Sequence, residues 1–508
     1  MAEPKRKTVQ MALDLVEVGT EASEALRHKT KNYKLPPEVP KKTLIKDIIR
    51  IAWPSLIELM LTQIASMVDM MMVGNIGANV EGAEQGLEGS RAVAAVGLTT
   101  QPVFLLFTLI MALNVGVTAL VARNKGAGQK DRAELVLRQG LLMTAVISVV
   151  MSVLGYVFSE AMIRFMAAGS IDESVIQDAT TYLHIRMLAL TAVSLTSTIT
   201  AGLRGAGDSR TAMVYNTVAN VINVFMNWLL IYGNLGMPEL KVAGAAWATI
   251  IGQYVAFAMA LFAVMRKNEK KYLHLDLRKG FRPDKGVLLG VWQIGLPSML
   301  EQLIMRVGMV IFARAVAGLG EDALATHQIC MNIQALSFMM GQAFAVSATS
   351  LVGQSLGKGR SDMAKQYGNY TSLLGLFTAL LLAAGFFFFG RYVVLLYNNK
   401  KEVVEIGGVI MRFIAFMQPF QCVQFIQAGA LRGAGDTRST MLVTLITVLL
   451  LRTSIALLLI NVFNMGLYGA WIAMAADQLV RSLLIGLRYA SNRWMLFKVR
   501  GEKKPAAA

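Results

Sequence analysis

Four acids lie inside long apolar runs of this 508-residue chain: Glu58, Asp69, Glu301 and Asp477. A charge in hydrocarbon is costly, so each of them needs a partner or a task. Glu58 and Asp69 are eleven residues apart, about three helical turns, and share one helix face with Thr62 and Ala65 between them. The stripe is about 16 Å long. Asn216, Asn220, Asn223 and Asn227 follow one another at spacings of 4, 3 and 4 residues, which again places them on one face. A carboxylate among amides can hold a cation through oxygen ligands, or take up a proton when buried. Amides alone also join helices in lipid.

Glu301 stands four residues after Pro297, as Glu58 stands four after Pro54. The two acids are expected to face each other across a cleft and attract a cation, or to brace the helices near the proline bends. Asp477 precedes Arg481 by four residues, the spacing of an intrahelical ion pair. His327, Gln328 and Asn332 open another apolar run; His327 has no second histidine or cysteine at metal-ligand spacing, and a hydrogen-bonded packing role is expected for it. Cys330 and Cys422 are the only cysteines, both in apolar runs, which excludes a disulfide framework and a cysteine metal site. No catalytic constellation, metal site or cofactor motif is present, and no enzyme activity is expected.

The elements that must position these residues follow from composition. The chain is 55% hydrophobic and 16% charged, with a mean hydropathy of +0.52. A soluble protein of this length needs far more charge to cover its surface. Apolar runs of about 20 residues have the length of a membrane-spanning helix, and twelve can be drawn between residues 51 and 487. The net charge of +17 would suggest nucleic acid in a soluble protein, but here its placement matters. One set of loops, with both termini, carries 37 of the 49 Lys and Arg residues, and the other carries seven. By the positive-inside rule the first set is cytosolic, so both termini are inside, as an even number of spans requires. Residues 1–43 read as a polar cytosolic extension and 491–508 as a cytosolic tail.

The hexapeptide LRGAGD occurs twice, led by Leu203 and by Leu431, 228 residues apart. Other echoes keep the same order. IAWPSLIEL from Ile51 matches IGLPSMLEQ from Ile294, VTALVARNKGAG from Val117 matches ATSLVGQSLGKG from Ala348, and GAAWATIIGQ from Gly244 matches GAWIAMAADQ from Gly469. The chain therefore reads as an all-α polytopic membrane protein with twelve transmembrane helices. They form two six-helix lobes, residues 44–265 and 287–490, joined by a basic linker, 266–286. Six is even, so the lobes should be related by a pseudo-two-fold axis along the membrane normal. LRGAGD is then a tight turn between the fourth and fifth helix of each lobe. A phosphate-binding loop is the rival, but no strand precedes it and no lysine follows in the required place. The repeat also supplies a control. The second-lobe equivalents of the four asparagines are Thr444, Val448, Leu451 and Ile455, and that of Asp69 is Phe312. The fold alone does not demand the polar set, which places a cation or proton site in the first lobe.

Two six-helix halves, LRGAGD in each, VDMMMVGNIG at the end of the first span and ALATHQICMN at the start of the eighth together resemble the MATE (multidrug and toxic compound extrusion) transporters, over about residues 44–490. The resemblance is closer to the DNA-damage-inducible bacterial branch. It implies an antiporter in the cell membrane that exports organic, often cationic, compounds by alternating access, driven by H⁺ or Na⁺, with no other cofactor. It puts the coupling carboxylate at Asp69; the lobe asymmetry adds Asn220, Asn223 and Asn227 to that site, and Glu58, Thr62, Asn216, Glu301 and Asn332 are expected in the substrate cleft. That branch has an aspartate where Asn227 stands, which weakens the case for Na⁺. Another branch has a glutamate where Met305 stands and an aspartate aligned with Gln421, so its site transfers poorly. The partners expected are small organic molecules and the lipid bilayer, with no nucleic acid, and one chain holds both lobes and can work as a monomer. A lipid-linked oligosaccharide flippase is the alternative, if Arg186, Arg306, Arg412, Arg452 and Arg481 face the cleft and make it positive.

Overall fold

The computed structural model describes residues 40–76, 87–167, 172–266, 271–276, 280, 282–397, 400–497 and 499. Most of the expected N-terminal extension, parts of the linker and the end of the tail lie outside the described residues. By internal contacts the chain divides into Met1–Leu44 and Ile45–Ala508, and the second unit holds the helical body. The first lobe comprises α1 (Lys41–Gly74), α2 (Leu87–Gly126), α3 (Lys130–Val157), a short α4 (Ser159–Ala167), α5 (Glu173–Gly205), α6 (Ser209–Tyr232) and α7 (Lys241–Met265). The second comprises α8 (Lys285–Ala317), α9 (Glu321–Gly357), α10 (Ser361–Leu395), α11 (Lys401–Gly433), α12 (Thr437–Thr444), α13 (Thr453–Asn461) and α14 (Gly466–Ala490). A π-helical segment, Leu445–Arg452, joins α12 to α13, and the three make a single crossing. Eleven helical stretches among the described residues are long and apolar enough to span a bilayer. The 33-residue α8 completes the twelve.

Lipid-facing surface is visible as exposed apolar side chains. Val146, Val149, Val150 and Val153 on α3, and Leu373, Phe377, Leu380 and Phe388 on α10, are all more than a third exposed. A soluble fold does not leave such stripes uncovered. With no water in hydrocarbon to serve the backbone, helices that satisfy their own hydrogen bonds are the form these runs must take.

The two LRGAGD turns are the same motif, bond for bond. The Asp208 N–H donates to the Leu203 carbonyl at 2.8 Å and the Gly207 N–H to Arg204 at 2.9 Å; Asp436 to Leu431 and Gly435 to Arg432 repeat both distances. This is a Schellman cap, and it needs a left-handed residue at Gly207 (φ +77°) and Gly435 (φ +86°). The aspartate then caps the next helix: Asp208 accepts from the Thr211 N–H and Asp436 from the Ser439 N–H. One hexapeptide thus ends a helix, turns the chain and starts the next.

The lobes are pinned together at the LRGAGD end. Arg123 on α2 donates to the Ala434 carbonyl at 2.7 Å, and Gln354 on α9 donates to the Gly205 carbonyl at 3.0 Å. Arg123 and Gln354 occupy equivalent places in the repeat, 231 residues apart. Each reaches across to the end of the other lobe's LRGAGD helix. Gly126 and Gly357, the same distance apart, let α2 and α9 meet. A Cβ on Gly126 would stand 1.9 Å from the Gln354 carbonyl oxygen, and one on Gly357 would stand 2.0 Å from that of Arg123. Farther into the body, Arg306 on α8 lies over the Phe104 ring of α2 at 3.4 Å. The linker is tied down as well. Leu273 and Leu275 are buried in the first lobe's core, and Gln139 on α3 bonds the backbone of Arg282 and Asp284.

Candidate functional site

In the first lobe α1 and α6 run in the same direction, so their facing residues keep a constant offset. Three contacts share the offset of 158 residues. The Asn216 side-chain amide donates to Glu58 at 2.6 Å, Asn220 donates to the Thr62 hydroxyl at 3.3 Å, and Asn227 donates to Asp69 at 2.6 Å. The stripes read from spacing therefore face one another as a polar seam. Polar side chains bridge the gap between the α1 and α6 backbones, which do not pack closely against each other. In the second lobe the equivalent helices pack closely, with Gly308 set directly against Val448.

Asn227 is fully buried, and its Oδ1 has no hydrogen-bond partner. The orphaned acceptor lies beside a carboxylate, which suits a bound cation or a proton shared with Asp69. Asn223 turns away from α1 and donates to the Thr249 hydroxyl of α7 at 3.4 Å. Arg186 on α5 is the cation whose field reaches both Asp69 and the neighbouring Tyr182. Sequence reasoning missed Thr249, though the repeat carried the signal. Its second-lobe equivalent is Met474, the same polar-to-apolar change that marks Asp69 and the asparagines. Asn332, expected in the cleft, lies on α9 and is exposed.

The two glutamates are not free acids in a cleft. Glu58 is paired with Arg204 at 2.8 Å, and Glu301 with Arg432 at 2.7 Å. Both carboxylates are buried, and Thr440 donates a further bond to Glu301 at 2.8 Å. The arginine of each LRGAGD turn thus reaches into its own lobe and neutralises the acid beside the proline of that lobe's first helix. The expectation that Glu58 and Glu301 confront each other as a substrate lure gives way to two equivalent internal ion pairs. Glu301→Gln is accordingly expected to lower stability by about 1–3 kcal/mol, because Arg432 loses its charge partner but keeps some access to water. Thermal unfolding of the purified variant is the check, and unfolding at the wild-type temperature would mean that the pair does not brace this lobe.

The second lobe has its own buried charges. Asp477 pairs with Arg481 at 2.6 Å, the intrahelical bond its spacing predicts. Arg452, at the end of the π-helical segment, also pairs with it. Arg481 further bonds the Thr447 hydroxyl and Met305 Sδ. Arg412 lies over the Phe387 ring at 5.9 Å. His327 is a packing residue between Phe312 and Trp471, but its Nδ1 lacks the hydrogen bond expected of it. Gln421 is buried and accepts from Gln334 at 3.4 Å. Cys330 and Cys422 are buried free thiols, and no metal-holding cluster occurs among the described residues.

Comparison with known proteins accounts for the two-lobe plan. The MatE family model matches residues 54–229 and 297–458, one block in each lobe. The probable multidrug resistance protein NorM of Thermotoga maritima is 28% identical over 465 residues, covering 91% of this chain and 96% of that protein. The multidrug resistance protein MdtK of Yersinia pestis is 30% identical over 470 residues, with the same coverage. Among solved structures, a MATE transporter in the bent conformation superposes with a TM-score of 0.78 at 21% identity, over 89% of this chain and 96% of that one. A MATE family transporter in an outward-facing conformation gives 0.79 at 21%, over 90% of this chain and all of that one. With a family match in both lobes and relatives aligned over nearly their whole length, the chain belongs to the MatE family of membrane transporters.

Proposed function

We propose that this chain exports small organic compounds from the cell by cation-coupled alternating access, with Asp69 and Asn227 as the coupling site. The observation that carries this is the short Asp69–Asn227 bond beside an orphaned, fully buried amide oxygen. The asymmetry between lobes supports it, since the second lobe has Phe312 and Ile455 at the equivalent places. The names of the relatives favour multidrug export as the task. The coupling ion is H⁺ or Na⁺. Asp69 alone serves a proton, while Asn227 Oδ1 adds an oxygen ligand for Na⁺. In the orientation that the loop charges favour, the LRGAGD end is cytosolic and both termini are inside. The inter-lobe contacts at that end then mark a state closed to the cytosol. Glu58 and Asn216 sit nearer the closed end and stabilise α1 against α6. The flippase reading needs arginines free between the lobes, whereas Arg452 and Arg481 are both spent on Asp477.

The test is export of a fluorescent organic cation from proteoliposomes under an imposed pH gradient, then under an imposed Na⁺ gradient. Asp69→Asn is expected to lose gradient-driven export under whichever gradient drives the wild type. Asn227→Leu should fall at least tenfold, about the effect of 1.4 kcal/mol. Export by Asp69→Asn at the wild-type rate would remove the coupling site from the first lobe.

A further inference from the structure

A large cavity lies at the LRGAGD end, apart from the polar seam. Its volume is about 910 Å³, and it is walled by α1, the first LRGAGD turn, the linker, α9 and the start of α10. Both lobes and the linker therefore contribute. Among the described residues six cations line it: Lys46, Arg50, Lys125, Arg210, Lys271 and Lys358. Two carboxylates, Asp47 and Asp208, accompany them, and both act on Lys125 as opposite charges. Asp47 accepts from the Tyr367 hydroxyl at 2.8 Å, and Asp208 is occupied in capping α6 through Thr211. Lys125 is largely buried, and Arg50 and Lys358 act on it as like charges more strongly than Asp208 and Asp47 act as opposite ones. Lys125 itself is held by the Ala206 carbonyl. The Tyr272 hydroxyl, also in the wall, is buried with no hydrogen-bond partner. A concave site whose described residues carry an excess of four positive charges and an unspent donor is built for an anion.

The wall also has an apolar side. Ile49 and Trp53 line the cavity and are 48% and 60% exposed. An exposed tryptophan one turn from a cluster of cations is the signature of the membrane–water interface. A free inorganic anion has no use for that apolar flank, whereas a lipid places its phosphate beside its own acyl chains.

We propose that this cavity binds the phosphate of an anionic membrane phospholipid, with Arg50, Lys271 and Lys358 as its charge partners and Ile49 and Trp53 against the acyl chains. Basic pockets between helices at a membrane face recognise lipid headgroups in this way. The bound phosphate relieves the repulsion around Lys125. Because the wall comes from both lobes, occupancy also favours the state in which the lobes meet at this end.

Thermal unfolding of the full chain in nanodiscs tests this. Three conditions are compared: phosphatidylcholine alone, phosphatidylcholine with phosphatidylglycerol, and phosphatidylcholine with inorganic phosphate in the buffer. Phosphatidylglycerol is expected to raise the Tm by a few degrees, as any ligand of the folded state does, and inorganic phosphate to leave it unmoved. The double variant Arg50→Gln/Lys358→Gln should lose that increment. In phosphatidylcholine alone it should melt no lower than the wild type, because like-charge repulsion has been removed. Lys271→Gln provides a second, milder variant with a reduced increment. Lys401→Gln, an exposed lysine at the opposite end of the body, should keep the full increment. An increment that survives in the double variant, or an equal Tm with and without phosphatidylglycerol in the wild type, overturns the proposal. A rise with inorganic phosphate that matches phosphatidylglycerol and vanishes in the double variant overturns the lipid assignment in favour of free phosphate.

Discussion

Gly357→Ala is expected to cut export at least about tenfold while leaving both lobes folded. The added Cβ would stand 2.0 Å from the Arg123 carbonyl oxygen and 3.0 Å from its Cα. Those are backbone atoms of the other lobe, so no side chain can swing aside to make room. Overpacking of this kind costs about 1–3 kcal/mol, occasionally more. The cost falls almost wholly on the state in which the lobes meet, since within its own lobe α9 keeps its neighbours. Gly126→Ala should act alike, because its Cβ meets the Gln354 backbone in the mirror arrangement. Gly97→Ala is the control, as nothing lies within 4 Å of its Cβ. The measurement pairs vesicle export with alkylation of a cysteine placed at the LRGAGD end, which should become more reactive in Gly357→Ala and Gly126→Ala. Wild-type export by both variants would mean that the lobes need not approach here during transport.

Asp477→Asn should produce the largest loss of stability, about 3–5 kcal/mol, because it leaves two buried guanidinium groups without a counter-charge. Arg452 and Arg481 are 3% and 2% exposed, and Asp477 is fully buried. The three groups already carry a net positive charge in a lipid-embedded lobe, and the aspartate is the charge partner of both arginines. Removing all three charges together should be far milder. Arg452→Met/Asp477→Leu/Arg481→Met restores a neutral interior, and replacing a buried ionic set by apolar residues is often neutral or stabilising. Thermal unfolding in detergent reads both variants. If Asp477→Asn unfolds like the wild type, or if the triple variant falls further than the single one, the triad is not held by mutual neutralisation.

Much of this was legible in the residues. Asp69 and Asn227 meet because each belongs to a one-sided stripe at helical spacing, and two parallel helices align such stripes at a constant offset. The tight turn at Gly207 followed from a glycine-rich hexapeptide repeated between apolar runs, whereas the capping of the next helix by Asp208 did not. The Asp477–Arg481 pair was set by a spacing of four on one helix. Other features were not legible. Arg204 and Arg432 read as loop charges that orient the chain, yet each turns inward to a glutamate more than a hundred residues away. Thr249 entered the seam from α7, and Arg452 joined Asp477 through a π-helical segment that no local pattern announced.

The sequence alone determined the twelve helices, the two lobes and the side of the body on which polar chemistry collects. Helical periodicity, apolar length and an internal repeat are local or self-referential properties, and a chain carries them without knowing its partners. Only the tertiary structure decided which charges are spent and which remain available. That choice depends on how far apart helix backbones stand. Close packing at Gly308 and Val448 leaves no gap in the second lobe. The wider separation of α1 and α6 in the first lobe is what gives Asp69 and Asn227 a place to meet.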